Sequence, residues 1–313
     1  MKAPSIFHVH FSSFQLRSSS SLLLPSSPLP RVLTMTDTTT PPFAATAKVP
    51  VASSSIPVST FTSVSSPELA AAAAAPLQKQ DRLLEASKEV VYKILYFKLH
   101  GMAATTRIML ALSGALWESI YPQDWANEKH ETPFGLMPIL YETHLSSNLT
   151  LEIPESEAIE RYLARKFGFW GRDAWEETAI HVFYCSSKSV LSLYVNKVLL
   201  AFPDTKSREL AKFVEKEVPG WIVQHEKWLG RSQTSGFYVG NQLSIADIHS
   251  VVCLDRFLTI PECKELFSPE KTPNLFKLKQ NLESYPRYTA WMTSPEFEAI
   301  NISTRQRLAV LKG

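Results

Sequence analysis

The 313-residue sequence has only three cysteines, Cys185, Cys253 and Cys263, too few for a disulfide framework. They also lack the spacing of a metal site. No apolar run approaches the ~18 residues of a membrane-spanning helix. An excess of one charge is missing too, since 32 Lys and Arg stand against 30 Asp and Glu. A polyanion-binding module carries a larger basic excess, which argues against nucleic acid as the main partner. Among the ten glycines there is neither a P-loop nor a dinucleotide-binding motif.

What is present is unevenly spread. Residues 1–85 hold six of the Lys/Arg and four of the Asp/Glu, leaving 26 of each sign beyond them. The same stretch is crowded with Ser, Thr, Ala and Pro, as in SSSSLLLPSSPLP (18–30) and TDTTTPP (36–42). It buries too little apolar area to offset its ordering entropy. The composition predicts a disordered extension over 1–85, with a short helix near 76–88. Residues 1–34 contain Lys2, Arg17 and Arg31 and no acid. Organellar targeting peptides have that composition, and so do untargeted tails. A cytoplasmic protein is expected, with mitochondrial or other organellar targeting through 1–34 as the alternative.

Order is predicted from about residue 89. VVYKILYF (90–97) is rich in β-branched and aromatic residues and reads as a strand. A turn at Leu99–Gly101 leads to a helix from about Ala103 to Leu112, closed by Gly114. LWESI (116–120) is a second strand. DWANEKHE is a loop with a short helix. In PFGLMPILY (133–141), Pro138 precedes a β-run. Two readings stand there: a strand that starts after a trans proline, or a cis proline in a tight turn. ILYE and NLTLEI (148–153) form a hairpin with a loose turn at 143–147. A helix over 155–167 places Ala158, Ile159, Tyr162 and Leu163 inward, and Gly168 ends it.

The order is β-α-β-α-β-β-α over 89–168, a mixed sheet with helices on both faces. Residues 172–313 show almost no strand pattern. Helices fit 173–200, 206–230, 244–258, 273–284 and 295–300, which makes an all-α second domain. The linker near Phe169–Arg172 is short, so the two domains should pack closely.

Four stretches together resemble the cytosolic glutathione S-transferase family, most closely its sigma-like class. They are YFKLHG (96–101), DWANEKHETPFGLMPIL (124–140), ESEAIERYLARKFG (155–168) and FYVGNQLSIADIHS (237–250). The resemblance implies a thioredoxin-like first domain and conjugation of the glutathione thiolate to small hydrophobic electrophiles, a detoxification chemistry. The alternative is a non-catalytic glutathione- or ligand-binding protein of the same fold. A homodimer is implied. Glutathione is the co-substrate, with no metal or further cofactor.

Such an enzyme must favour a thiolate over a thiol whose free pKa is ~8.5. Tyr96 ends the first strand, where its hydroxyl could donate to the sulfur; alternatively it is a sheet-edge tyrosine. Phe97, next along, is expected in the core. Met137, ahead of Pro138, could pair through its backbone with an extended tripeptide, or simply pack. Ser156 and Glu155 start a helix whose N-terminus favours a carboxylate; capping is the rival role. Trp125 and Lys129 are implied at the glycyl end, against core cover and a solvated charge.

Two positions depart from the family pattern. Met102 stands where a cation commonly supports the thiolate, and the first cation nearby, Arg107, is inside the helix. Lys188 and Ser189 stand where an acid is usual. The electrophile should lie between Leu99, Met102 and the second domain's first helix, with Phe183, Tyr184, Ser187 and Val190 as candidates. Ser244-x-x-Asp247 reads as a capping box with a folding role. His249 reads as a packed or surface histidine.

Overall fold

The computed structural model describes residues 89–231 and 236–312, with side chains through 308. The expectations for 1–85, and the helix near 76–88, lie outside the described residues.

Strand β1 (Val90–Leu95) alternates as its sequence demands, burying Val90, Tyr92 and Ile94 on one face. A 3-10 turn (Gly101–Ala103) leads into α1 (Ala104–Ser113), and Gly114 caps it in the left-handed region at φ 72°. β2 (Leu116–Ile120) pairs parallel with β1. The short α2 (Trp125–Glu128) continues as a 3-10 turn, Lys129–Glu131. β3 (Ile139–His144) runs antiparallel to β1, and β4 (Leu149–Pro154) antiparallel to β3. The sheet order is β2-β1-β3-β4. α3 (Ser156–Phe167) follows and ends at Gly168.

β1 stops at Leu95, two residues short of the expected span, although the Tyr96 N–H still reaches Ile120 O at 3.2 Å. The hairpin loop shifts to 145–148, because β3 runs two residues further than expected and β4 starts one residue later. On α3 the buried residues are Ser156, Ile159, Glu160, Leu163 and Ala164; Ala158 is exposed and Tyr162 half-buried. Glu160 and Ala164 thus join the inward face, and the Glu160 carboxylate meets Tyr184 and Lys188 of the second domain. The face of Tyr92 and Glu142 lies under α3. Tyr92 meets Phe167 edge-on at 5.8 Å, and the Glu142 carboxylate accepts from Tyr162 at 2.6 Å and Lys166 at 2.5 Å. The opposite face carries the solvent-exposed Lys93–Glu118 pair at 2.7 Å, so it is less covered than the two-faced expectation.

The second domain is helical throughout its described residues. α4 (Ala174–Leu193) runs into a π-turn (Tyr194–Leu199). α5 (Pro203–Lys212), a second π-turn (Phe213–Glu217) and α6 (Val218–Arg231) follow. α7 (Ile245–Leu258) is the buried central helix, and a 3-10 segment spans Pro261–Leu266. α8 (Pro273–Glu283), α9 (Pro286–Met292) and α10 (Pro295–Lys312) complete it. α9 lies where no helix is expected from the sequence, and α10 runs well past its expected end at residue 300. Pro286 and Pro295 suit helix starts, where the missing N–H costs nothing.

The domains pack closely. α1 contacts α3, α7 and α9. Thr105 Oγ1 meets His249 Nδ1 at 2.8 Å, and Ile245 N donates to Phe169 O at 2.8 Å. In the linker, a Cβ on Gly171 would sit 2.2 Å from Glu177 N, so only glycine permits that approach. Among the described residues no helix is long and apolar enough to cross a membrane.

Candidate functional site

Three strand ends meet at one edge of the sheet. Leu95 pairs with Ile139, and Ile139 with Pro154. Continued by one residue, those registers put Tyr96, Pro138 and Glu155 in a row. Hydrogen-bonded strands lie ~4.8 Å apart, so the row is compact. The topology thereby brings three segments, separated by about 40 and 17 residues in sequence, to one place.

The Tyr96 hydroxyl accepts the Met102 N–H at 3.2 Å, while its own hydrogen has no acceptor among the described residues. Burial raises its pKa, against the Met102 hydrogen bond and the charges of Arg107 and Arg256, which lower it. It therefore stays a neutral donor at physiological pH. Gly101 makes the arrangement possible. Its φ is 38°, and a Cβ there would fall 2.6 Å from the Tyr96 oxygen.

Beneath this loop lies Arg107, fully buried on α1. Its guanidinium donates to Leu99 O at 2.6 Å, Phe97 O at 3.4 Å and Ser119 Oγ at 3.2 Å, and it lies 6.0 Å from the Tyr96 ring centre. It fixes the backbone on which Tyr96 is mounted. The signal for it is an arginine directly ahead of the apolar run Ile108–Leu110. Thr304 gave no such signal; its Oγ1 accepts the His100 N–H at 3.0 Å, tying α10 to the same loop. His100 is held neutral, its pKa lowered to about 3 by burial and by Arg256 and Arg107.

Phe97 is not in the core. It is 37% exposed and meets the Tyr96 ring at 5.8 Å and the Trp125 ring at 5.9 Å. Strand alternation ends at Leu95, so it does not govern Phe97. Trp125 opens α2 half-buried against Phe97, and Glu128 steadies that turn by accepting the N–H groups of Gln123 and Asp124 at 3.0 and 2.7 Å. Lys129 begins the adjoining 3-10 turn, with no ion-pair partner among the described residues.

The Met137–Pro138 bond is cis. Pro138 is buried and Met137 half-buried just ahead of β3. The Met137 N–H and C=O enter no backbone hydrogen bond among the described residues, which leaves an open rung for an extended peptide. Glu155 is exposed at φ 71°, and no side chain caps α3. The capping role is thus not what these residues perform. Ser156 is buried, and its Oγ accepts from Lys188 Nζ at 3.2 Å. Lys188 also donates to Tyr184 at 3.1 Å and Glu160 at 3.4 Å. A cation beside a helix N-terminus favours an incoming carboxylate.

The α4 candidates for an apolar subsite are mostly packing residues. Tyr184 and Ser187 are fully buried, bonded to Glu160 and Ser250; Val190 is buried, and Phe183 stacks on Tyr238 at 4.6 Å. Leu99 and Met102 remain half-buried at the cleft. The cysteines offer no ready thiolate, for burial raises the pKa of all three, that of Cys263 to about 11. Among the described residues no group of His, Cys, Asp and Glu could hold a metal ion.

Comparison with known proteins adds relatives to this geometry. The family description "Glutathione S-transferase, C-terminal domain" matches residues 194–295. The chain is 29% identical over 209 residues to glutathione S-transferase 3 of Caenorhabditis elegans, covering 65% of this chain and 96% of that protein. It is 31% identical over 169 residues to the probable glutathione S-transferase 7 of the same organism, covering 51% of this chain and 76% of the relative. A sigma-class transferase structure from Fasciola hepatica shares the fold, with TM-score 0.57 and 22% identity over 65% of this chain and 96% of the other.

Proposed function

The chain belongs to the glutathione S-transferase family, and from that premise we propose how its own residues carry out glutathione transfer. It is an enzyme that joins the glutathione sulfur to a small hydrophobic electrophile. Tyr96 donates its uncommitted hydrogen to the sulfur and favours the thiolate. The Met102 N–H, donating to the same oxygen, makes that hydroxyl a stronger donor. The tripeptide lies along the Met137 rung beside Pro138. Its glutamyl carboxylate meets Ser156 and the bare N-terminus of α3, with Lys188 adjacent, and its ammonium meets Glu155. Lys129 pairs with the glycyl carboxylate, and the Trp125 indole donates nearby. The thiolate attacks the electrophilic carbon, a C–S bond forms, and the leaving group departs with its electron pair.

The observation that carries this reading is the Tyr96 hydroxyl. It is half-buried, accepts the Met102 N–H, and has no acceptor for its own hydrogen among the described residues. A neutral Met102 in place of a cation leaves Arg107, 6.0 Å from the ring, as a source of positive potential. A homodimer and a cytoplasmic role in detoxification belong to the same proposal. The test is glutathione-dependent conjugation of 1-chloro-2,4-dinitrobenzene by the purified full chain. Glutathione bound without turnover would reduce the protein to a binding role. Sedimentation at twice the chain mass would support the dimer.

A further inference from the structure

Where α4 meets α3, four side chains form one polar knot: Ser156 and Glu160 on α3, Tyr184 and Lys188 on α4. The Lys188 side chain is 15% exposed. Its ammonium donates to the Tyr184 hydroxyl at 3.1 Å, Ser156 Oγ at 3.2 Å and Glu160 at 3.4 Å, so all three of its hydrogens are used. The Glu160 carboxylate also accepts the Tyr184 hydroxyl. Ser156 is the unfinished member. An ammonium can only donate, so the Ser156 oxygen must accept from Lys188 and turn its own hydrogen elsewhere. That hydrogen has no acceptor among the described residues, although the residue is buried. Ser156 follows Glu155, the third member of the row with Tyr96 and Pro138, so the free hydroxyl lies at the site already described.

The two charges of a glutamyl end meet unequal surroundings there. The acids of that turn, Glu155 and Glu157, are both exposed, and Glu157 lies 3.9 Å from His181. An exposed pair with the ligand ammonium is worth up to about 5-fold in affinity. A carboxylate instead meets a hydroxyl polarised by a largely buried cation, and a charge-assisted bond of that kind is worth about 10- to 100-fold. Glu160, which balances Lys188, sits one turn further from the start of α3, so the ammonium is the nearer charge.

We propose that Lys188 is a positioning residue that sets the selectivity of the glutamyl subsite: it aims the Ser156 hydroxyl at a carboxylate, so that the thiol donor is read by its α-carboxylate and its ammonium is dispensable. This rests on the transferase reading above. The donor class that follows is thiol peptides with a free carboxylate on the N-terminal acyl group, deaminated forms included.

The test gives the full chain three donors: glutathione, glutaryl-Cys-Gly, which lacks only the ammonium, and 4-aminobutyryl-Cys-Gly, which lacks only the carboxylate. Each is conjugated to 1-chloro-2,4-dinitrobenzene; the thiolate attacks the carbon bearing chlorine, the C–S bond forms, and chloride leaves with the bonding pair. Relative to glutathione, kcat/KM should fall about 10- to 100-fold without the carboxylate and less than about 5-fold without the ammonium, in both cases through KM. Equal losses, or the reverse order, would overturn the proposal.

Lys188→Met in the parent strands the Glu160 carboxylate, which can prevent folding. The lysine is therefore also removed from Glu160→Gln, where no buried carboxylate needs neutralising. Glu160→Gln alone should keep the carboxylate preference. Adding Lys188→Met should raise KM about 10-fold for glutathione and glutaryl-Cys-Gly with kcat held, and less than about 2-fold for 4-aminobutyryl-Cys-Gly. Lys188→Arg should restore part of the difference. A uniform loss on all three donors, or none, would make Lys188 a counter-ion of Glu160 and overturn the proposal.

Calorimetric binding of S-methylglutathione and its des-amino counterpart supplies an arm independent of turnover. The parent should bind the two within about 5-fold, and both should weaken about 10-fold when Lys188→Met is added to Glu160→Gln. That pattern without conjugation of any donor would sink the transferase reading and leave the subsite standing. Binding of neither ligand would overturn the proposal.

Discussion

Asp247, fully buried, and Tyr96, half-buried, each stand beside a helix start, yet their hydrogen bonds are distributed in opposite ways. The Asp247 carboxylate accepts the Tyr238 N–H at 3.0 Å, and the Ser244 N–H at 2.8 Å and hydroxyl at 2.5 Å. It is a closed network that holds the N-terminus of α7 and has nothing left for a ligand. Tyr96 accepts one bond and keeps its donor. Beside it, Met137 keeps an open rung. The closed cluster stabilises the fold, and the open one is held in place by its surroundings so that a ligand completes it.

The largest expected effect breaks the closed cluster. Asp247→Ala leaves two buried backbone N–H groups without an acceptor, at about 1–3 kcal/mol each. Urea unfolding should show a loss of about 2–6 kcal/mol, while turnover per folded molecule stays near the parent's. Retained stability would show that the box is dispensable.

A pH comparison sharpens the same point. Burial raises the Asp247 pKa to about 6, against the lowering effect of Ser244 and the backbone donors. The native state then holds a proton longer than the unfolded chain. The resulting stabilisation is full below ~3.9 and is lost as pH rises through about 6, a swing of about 3 kcal/mol. Asp247→Asn cannot titrate. The stability difference between parent and Asp247→Asn should therefore grow in the parent's favour from pH 7 to pH 4. A difference independent of pH would contradict the assignment.

The open cluster is probed by Tyr96→Phe, which removes one oxygen. Conjugation should fall about 10- to 100-fold if the donor is used mainly on the thiolate. The acidic limb of the pH–rate profile should move upward, since more bound thiol stays protonated. Because Met102 N–H loses its acceptor, stability should drop by about 1 kcal/mol. The parent's rate and profile in the mutant would remove Tyr96 from the mechanism.

Lys129→Met should have the smallest effect. An ion pair between a half-exposed lysine and a glycyl carboxylate is worth up to about 1 kcal/mol. KM for glutathione should rise about 3- to 5-fold, with kcat held and the difference shrinking in high salt. An unchanged KM would leave Lys129 as a solvated charge.

Much of this was legible beforehand, for reasons that differ by residue. Val90, Tyr92 and Ile94 announced a strand because a half-buried sheet imposes a period of two. Gly114 and Gly168 marked helix ends because the left-handed cap favours glycine. The row of Tyr96, Pro138 and Glu155 was readable as three separate motifs, each at the end of its own strand. Phe97 and Ala158 were misplaced where a regular period was carried past the point at which it applied.

Local sequence by itself determined where the strands and most helices run, where they stop, and that Ser244 and Asp247 close a helix start, because each depends on neighbours a few residues away. Tertiary structure alone decided that Thr304 holds His100, that Lys188 reaches Ser156, and that His249 meets Thr105. Those pairs are separated by 204, 32 and 144 residues. No periodicity encodes which distant surface will cover a residue. The packing of α4 on α3, of α7 on α1 and of α10 on the loop after β1 settles it, and with it which polar groups are satisfied and which are left for a ligand.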